Sequence, residues 1–295
     1  MTWLVEHEPF IRLTCFAGVF ILMLWAEWRY PRRQQASPST SQQTRTNRRL
    51  PFISRRRISN VALSLINTFV IRFLPALAAV GAANWAQSEH FGLVELFELN
   101  TDIGFWIGCA LAILALDMAI YCQHRIFHAV PWLWRLHRVH HSDTEFDTTT
   151  AIRFHPIEIV LSMIIKVALV ILLGAPAEAV IIFEVILNAG ALFNHANLSL
   201  PHRIDRLLRT LIVTPDMHRI HHSVHPEETN SNFGFSISTW DYLFGTYCTQ
   251  PKDQHATMKI GLKEYQTEHV DELWPLLSQP FKSQPFKSAK AKTPY

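Results

Sequence analysis

Long apolar stretches separated by short polar segments run through most of the chain. Residues 10–28, 61–86 and 103–122 are each apolar over about the 20 residues that a helix needs to cross a hydrocarbon core. Two further arms, 157–173 and 177–192, flank the turn signal Gly174-Ala175-Pro176 and predict a helical hairpin. The first stretch lacks a small-residue cleavage site and ends in Trp25, Trp28 and Tyr30 before Pro31-Arg32-Arg33. That pattern suits an interfacial belt and a stop-transfer signal, so the stretch is expected to stay as an anchor.

Charge inside these stretches is sparse and therefore informative. Lys166 and Glu184 each lie nine residues from Ala175, so antiparallel arms place them at matching depth and predict an intramembrane ion pair. Arg72 lies within the second stretch, just before Pro75, and has no evident partner.

Composition sharpens this picture. Of 295 residues, 49 % are hydrophobic and only 17 % charged, and the net charge of +3 hides an asymmetry. Residues 29–57 hold nine arginines and no acid, whereas residues 89–102 hold four acids and no Lys or Arg. An arginine run raises the question of nucleic acid, but Pro, Ser, Gln and Thr separate these arginines in a linker between apolar stretches. No nucleic-acid partner is expected, and cytoplasmic lipid head groups fit better. The positive-inside rule then keeps 29–57 in the cytoplasm and 89–102 on the other side. The third stretch returns inward and the hairpin enters and returns, so the histidine-rich segments and the C-terminus are expected to be cytoplasmic, at a bacterial inner membrane. Cys15, Cys109, Cys122 and Cys248 form no CxxC pair and read as small buried hydrophobes. QPFKS occurs from Gln279 and again from Gln284, and with SAKAKTPY it predicts a disordered basic tail. The expected fold is all-α: an integral membrane helical bundle of about four spans, including the hairpin, with a cytoplasmic histidine-rich helical cap.

The candidate chemistry lies in the histidines. On a helix, positions three and four apart share a face, so His124 with His128, His137 with His140 and His141, and His218 with His221 and His222 are expected to present converging imidazoles. At this histidine frequency the pattern HxxHH is expected by chance roughly 0.05 times, yet it occurs twice. Four-coordinate zinc would be saturated by half of these residues, so eight or more imidazoles imply two metal ions. Imidazole also suits iron and copper, and open positions on iron permit oxygen chemistry. His155 in RFHPIE and His195 in NHAN stand at the two ends of the hairpin and are further candidates. The interleaved Arg125, Arg138 and Arg219 are expected to point away from the metal, toward solvent or lipid phosphate. Asp117 and Tyr121 fall near the face of His124 and could fix an imidazole tautomer. Glu184, Asn188 and His195 would lie along one helical stripe leading from the membrane toward the metal. After the last cluster, Asn230 and Asn232 are expected to order the loop, with Trp240 and Asp241 closing over the cap.

The order HRIFH, HRVHHSDTEFDTTTAIRFHP, NHANL, TPDMHRIHHS, NSNFG and WDYLFGTY resembles the fatty acid hydroxylase and sterol desaturase superfamily, over residues 60–247. The resemblance implies that His124, His128, His137, His140, His141, His218, His221 and His222 are ligands of a nonheme di-iron centre, with dioxygen as co-substrate. His195 matches a further histidine usual between the last two motifs, and His155 resembles the HP histidine of a bacterial branch. Ser199 stands where fatty acid hydroxylases often carry another histidine. On this reading 1–59 is an anchor with a basic loop, 60–250 the di-iron hydroxylase domain, and 251–295 a C-terminal extension. The implied activity is hydroxylation of a lipid or other hydrophobic substrate, with desaturation as the alternative, and zinc is able to replace iron in recombinant protein. The chain shows no heme, flavin or ferredoxin motif, so electrons are expected from a separate electron-transfer protein, which the basic loop and tail could attract. A histidine-rich metal transporter is the rival from another class. It would place ionisable residues along a path at membrane depth, whereas here the histidines gather at the ends of the apolar stretches.

Overall fold

The computed structural model describes residues 3–33, 54–94, 101–266 and 271–282. Among them every regular element is helical, with only isolated bridges joining Pro31 to Leu198, Ile212 to Ile237 and Ser223 to Ile260. The long helices are α2 (Glu8–Arg29), α3 (Arg55–Arg72), α5 (Asp102–Ala129), α7 (Pro156–Leu173) and α8 (Ala177–Asn194), preceded by the single turn α1 (Trp3–Glu6). Shorter helices are α4 (Ala79–Ser88), α6 (Pro131–His141), α9 (His202–Leu208), α10 (Pro215–His221), α11 (Pro226–Thr229), α12 (Thr239–Leu243) and α13 (Leu273–Ser278). Among the described residues four helices, α2, α5, α7 and α8, are long and apolar enough to cross a membrane.

The stretch 61–86 does not form the single spanning helix expected of it. Pro75 has no amide hydrogen and restricts Leu74 before it, so α3 ends at Arg72, a 3-10 turn spans Pro75–Leu77, and α4 starts anew at Ala79. α3 also starts earlier than the apolar pattern, at Arg55, where Ser54 Oγ accepts the Arg57 amide at 3.2 Å. It is not a greasy rod, because it buries Arg56, Ser59, Asn60 and Asn67 on one face.

The hairpin closes as its turn signal predicts. Gly174 ends α7 in the left-handed region at φ 61°, and Pro176 caps α8. A side chain at Gly92 would meet the Gly174 nitrogen at 2.2 Å, so two glycines let the chain after α4 cross the turn. Val94 N donates to Leu173 O there at 2.8 Å. Beneath this turn Ala79 and Ala83 of α4, Cys109 and Ala112 of α5, and Val180 and Phe183 of α8 make a buried core whose small residues allow close approach. Lys166 Nζ meets Glu184 Oε1 at 2.7 Å, and Arg12 from α2 holds the second oxygen, Oε2, at 2.9 Å. One buried carboxylate therefore ties three helices.

At the opposite end the apolar core gives way to ion pairs. Four arginines expected at lipid head groups turn into the protein instead. Arg32 pairs with Asp216 at 3.0 Å, Arg33 donates to Met258 O at 2.6 Å, and Arg57 reaches Asp147 at 3.0 Å. Arg56 bridges Asp143 at 2.7 Å, Glu145 at 3.1 Å and Asp147. For Arg32, Arg56 and Arg57 the attraction of nearby buried carboxylates outweighs that of a solvated phosphate surface. Arg45, Arg48 and Arg49, and Glu95 and Glu98 of the acidic loop, lie outside the described residues. The start of the expected basic tail is packed: Gln279 and Pro280 are buried, and Arg135 donates to Pro280 O at 2.6 Å. Residues 283–295 lie outside the described residues.

Glu184→Gln should cost more stability than replacing Lys166 and Glu184 together by Met and Leu. The single change strands Lys166 beside a neutral amide, at about 3 kcal/mol for a broken buried pair. The double change leaves only Arg12, whose side chain is 41 % exposed and still paired with Glu8. Thermal unfolding in detergent measures the order, and equal losses would show that the carboxylate does not organise this junction.

Candidate metal centre

All three histidine motifs reach the same end of the bundle. His124 and His128 occupy the last turns of α5, the next motif ends α6, and the last ends α10, with His222 as its cap residue. Pro131 and Pro215 start α6 and α10, and Thr214 caps α10 by accepting the Met217 amide. His195 is the cap residue of α8 and is fully buried, so one side chain closes a helix and faces the centre.

Nine imidazoles form two groups, each with ligand atoms within 4.8 Å of one another: His124, His128, His137, His141 and His221 in one, His140, His195, His218 and His222 in the other. The expectation that each HxxHH converges as a unit is corrected by helix geometry. Successive residues on a helix diverge by about 100°, so His140 and His141 cannot aim at one point, and nor can His221 and His222. Their ring planes cross at 90° and 82°. The i,i+4 pairs His137/His141 and His218/His222 stay together, while His140 and His221 cross to the other group. Each motif thus serves both groups, and His141 stacks on His222 at 4.5 Å where they adjoin.

The nitrogens show what the site can hold. His124 Nδ1 lies 2.8 Å from Phe233 O, His221 Nδ1 2.7 Å from Ser231 O, and His195 Nδ1 2.8 Å from Ala191 O. Each carbonyl can only accept, so these rings donate through Nδ1 and turn a lone pair outward at Nε2. Yet His221 and His124 bring Nε2 atoms to 3.0 Å, His218 and His195 to 3.0 Å, and His195 and His140 to 3.1 Å. In the His221/His124 pair both Nδ1 atoms are donors, so two lone pairs face each other and repel unless a cation lies between them. Ligands at right angles around a metal about 2.1 Å away would stand about 3 Å apart. His137 Nε2, His141 Nε2 and both ring nitrogens of His128 and His222 are buried without a hydrogen-bond partner, as open ligand atoms would be. The donor set fits two metal ions.

Burial keeps the imidazoles neutral and able to ligate. Desolvation pushes His137 down to about 3, and desolvation first, then neighbouring imidazoles, holds His140, His141, His218 and His222 well below 6.5. Phe154 lies flat on His140 at 4.4 Å, and Phe146 stacks on His195 at 5.7 Å, closing the four-histidine group.

Other sequence candidates fall elsewhere. His155 joins neither group: as the cap of α7 its Nδ1 accepts the Ile157 amide at 3.2 Å, and its Nε2 lies 3.2 Å from Leu277 O. Asp117 touches no imidazole; it accepts from Trp240 Nε1 at 2.8 Å and the Ile237 amide at 3.3 Å. Tyr121 bonds Thr246 at 2.8 Å, and Asn188 donates to Glu184 O at 2.7 Å. Glu184 is engaged by Lys166 and Arg12, so the stripe from membrane to metal is not built. Arg138 and Arg219 are buried rather than solvated, Arg138 donating to Lys282 O at 2.8 Å and Arg219 pairing with Asp216. Asn232 donates to Met217 O and Cys248 O, both at 3.0 Å, and Asp241 accepts the amides of Phe233 and Gly234 at 2.8 and 2.7 Å. These bonds aim the carbonyls that hold His124 and His221.

Sequence reasoning missed Glu158. Its Oε1 accepts from His137 Nδ1 at 2.6 Å, and both residues are buried. The available signal was an acid in the first turn of an otherwise apolar helix.

Residues 109–246, just under half of the chain, match the fatty acid hydroxylase family model. Among curated proteins, the ornithine lipid hydroxylase of Rhizobium tropici is 29 % identical over 150 residues, covering 51 % of this chain and 44 % of that protein. Alkylglycerol monooxygenase of Xenopus tropicalis is 30 % identical over 195 residues, covering 64 % and 41 %. Cholesterol 25-hydroxylase of Rattus norvegicus is 25 % identical over 169 residues, covering 57 % and 55 %. The chain thus spans less than half of the first two relatives. No solved structure gives a significant match.

Two outcomes are expected. Because the folded pKa of these imidazoles lies below the unfolded value near 6.5, the unfolded state binds protons first as pH falls. Metal-free protein is therefore most stable above about pH 6.5 and loses on the order of 1 kcal/mol per imidazole per pH unit as pH falls below it. Thermal midpoints from pH 7.5 to 5.5 check this, and a flat profile would contradict it. Glu158→Ala should weaken metal binding about 10–100-fold at the five-histidine group while sparing the other, so titrated metal content should fall toward one ion per chain.

Proposed function

We propose that the protein is a membrane-bound nonheme di-iron oxygenase that hydroxylates an unactivated C–H bond of a lipid or other hydrophobic substrate. The reading is carried by nine buried imidazoles sorted into two adjoining groups at one end of four apolar helices. The relatives' names, ornithine lipid hydroxylase, alkylglycerol monooxygenase and cholesterol 25-hydroxylase, support lipid oxidation and favour hydroxylation over desaturation.

Bound iron would supply the chemistry: activation of dioxygen for attack on carbon. The chain supplies the setting. His124, His128, His137, His141 and His221 would hold one ion, and His140, His195, His218 and His222 the other. Ser231 O, Phe233 O and Ala191 O keep the ring protons on Nδ1, so Nε2 remains a ligand. Glu158 places a carboxylate against His137 and offsets part of the buried positive charge. Phe146 and Phe154 exclude water. Electrons would come from a separate protein. The histidine end and C-terminus would face the cytoplasm of a bacterial inner membrane, in line with the arginines of residues 29–57.

The transporter reading loses support from the deep charges. Lys166 and Glu184 engage each other and Arg12, and do not form a ladder of open sites.

His140→Ala and His221→Ala, one from each group, should each abolish turnover and lower iron content while membrane insertion persists. Lipid mass spectrometry of a host expressing the native chain, against one expressing His140→Ala, should show species heavier by one oxygen. Species lighter by two hydrogens would mark a desaturase, and turnover retained in both variants would overturn the assignment.

A further inference from the structure

The connection between the hairpin and the last histidine motif, together with α12, presents an apolar surface that nothing in the described chain covers. Leu207, Leu211 and Leu243 are 72 %, 70 % and 66 % exposed, and Ile204 and Phe244 are also open. The two pieces lie side by side: the Ser238 amide donates to Leu211 O at 3.1 Å, and Ser238 Oγ and Tyr242 OH donate to Arg209 O at 2.8 and 3.1 Å. Exposed leucines this concentrated mark a contact surface.

The position of α12 indicates what touches it. Trp240 is bonded to Asp117, Phe244 stacks on Tyr121 at 5.3 Å, and Thr246 bonds the Tyr121 hydroxyl. Asp117 lies near the middle of α5, about 10 Å along the helix from His124. If α5 crosses the bilayer, α12 is held at the depth of a leaflet. The charges on α9 agree. Its one acid, Asp205, is buried against Arg209 and Thr214, whereas His202, Arg203 and Arg206 are exposed beside Ile204 and Leu207. The open face therefore combines apolar side chains with cations and carries no anion, which matches acyl chains bordered by anionic phosphates.

We propose that α9 and α12 form a monotopic membrane element seated in the leaflet on the histidine side, with Leu207, Leu211, Leu243 and Phe244 among acyl chains and Arg203 and Arg206 on anionic phosphodiester head groups. The element bears directly on the centre, because Thr214, which caps α10, donates to Asp205 of α9 at 2.6 Å. A lipid-anchored α9 thus braces the helix that carries His218 and His221. The inference rests on the membrane spans and not on the oxygenase reading.

The test uses the full chain in nanodiscs, with p-benzoylphenylalanine at position 207 or 243, and at position 263, an exposed polar site of the cap, as control. Discs are made of phosphatidylcholine alone or with phosphatidylglycerol. After irradiation, mass spectrometry should find lipid adducts at 207 and 243 about fivefold or more above 263, as for side chains buried in an interface. In the mixed discs phosphatidylglycerol should be over-represented, and Arg203→Gln with Arg206→Gln should abolish that preference. Metal content equal to that of the unsubstituted protein shows that the variants are folded. Adducts at the level of position 263 would mean the face meets water, and cross-links to a second copy would mean it is an interface between copies; either overturns the proposal. A phosphatidylglycerol preference that survives both arginine changes would overturn the head-group contact. Cross-linking needs no turnover, so failure here leaves the oxygenase reading standing, and the reverse also holds.

Discussion

The structure depends on forcing neutral imidazole nitrogens together where water is excluded. The facing lone pairs of His124 and His221, 3.0 Å apart, repel, and each ring nitrogen buried without a partner carries a desolvation cost, so this arrangement is unfavourable without cations. A chain that holds it must be stiff elsewhere. The segment between the second motif and α7 is held by buried arginines: Arg56 on Asp143 and Asp147, and Arg153 on Asn60, Ser142 and Val139 O. The segment after the last motif is held by Asp241 and Asn232. Polar networks of this kind fix one geometry, whereas an apolar core tolerates several.

The two ends of the bundle use different physics for this reason. Around the hairpin turn, Ala and Gly let helices approach closely, and the three-way contact of Lys166, Arg12 and Glu184 adds one strong polar junction. At the histidine end, charge and hydrogen bonding dominate and apolar contact is local, as where Phe146 meets Met258 and Ile260, or Leu63 meets Val139 and Leu276. Met258, Ile260 and Leu276 come from after residue 250, so that part of the chain helps to cover the buried imidazoles.

Each HxxHH motif is a branching device. Because adjacent helical residues diverge, the double histidine sends one ring to each group, and two short helices cross-link both groups. The groups are not equivalent. The larger one is backed by the Glu158 carboxylate through His137, whereas in the smaller one His195 is backed by a backbone carbonyl. A carboxylate behind one imidazole raises its basicity, so this asymmetry between the two groups is written into the fold.

Much of this was legible in the linear chain. Apolar length and the Gly174–Pro176 turn specified four apolar helices, two of them the arms of the hairpin, equal spacing from Ala175 brought Lys166 opposite Glu184, and histidine spacing marked the ligand-like residues, because all of these follow from local periodicity. Tertiary structure alone decided the rest. It turned Arg32, Arg33, Arg56 and Arg57 inward, left His155 as a helix cap, and chose Glu158 and three carbonyls rather than Asp117 or Tyr121 to orient the rings, whereas the break of 61–86 at Pro75 is a local effect of the proline. Spacing along one helix tells which side chains share a face. Which group from a distant segment meets that face depends on contacts between residues far apart in sequence, and these exist only once the helices have packed.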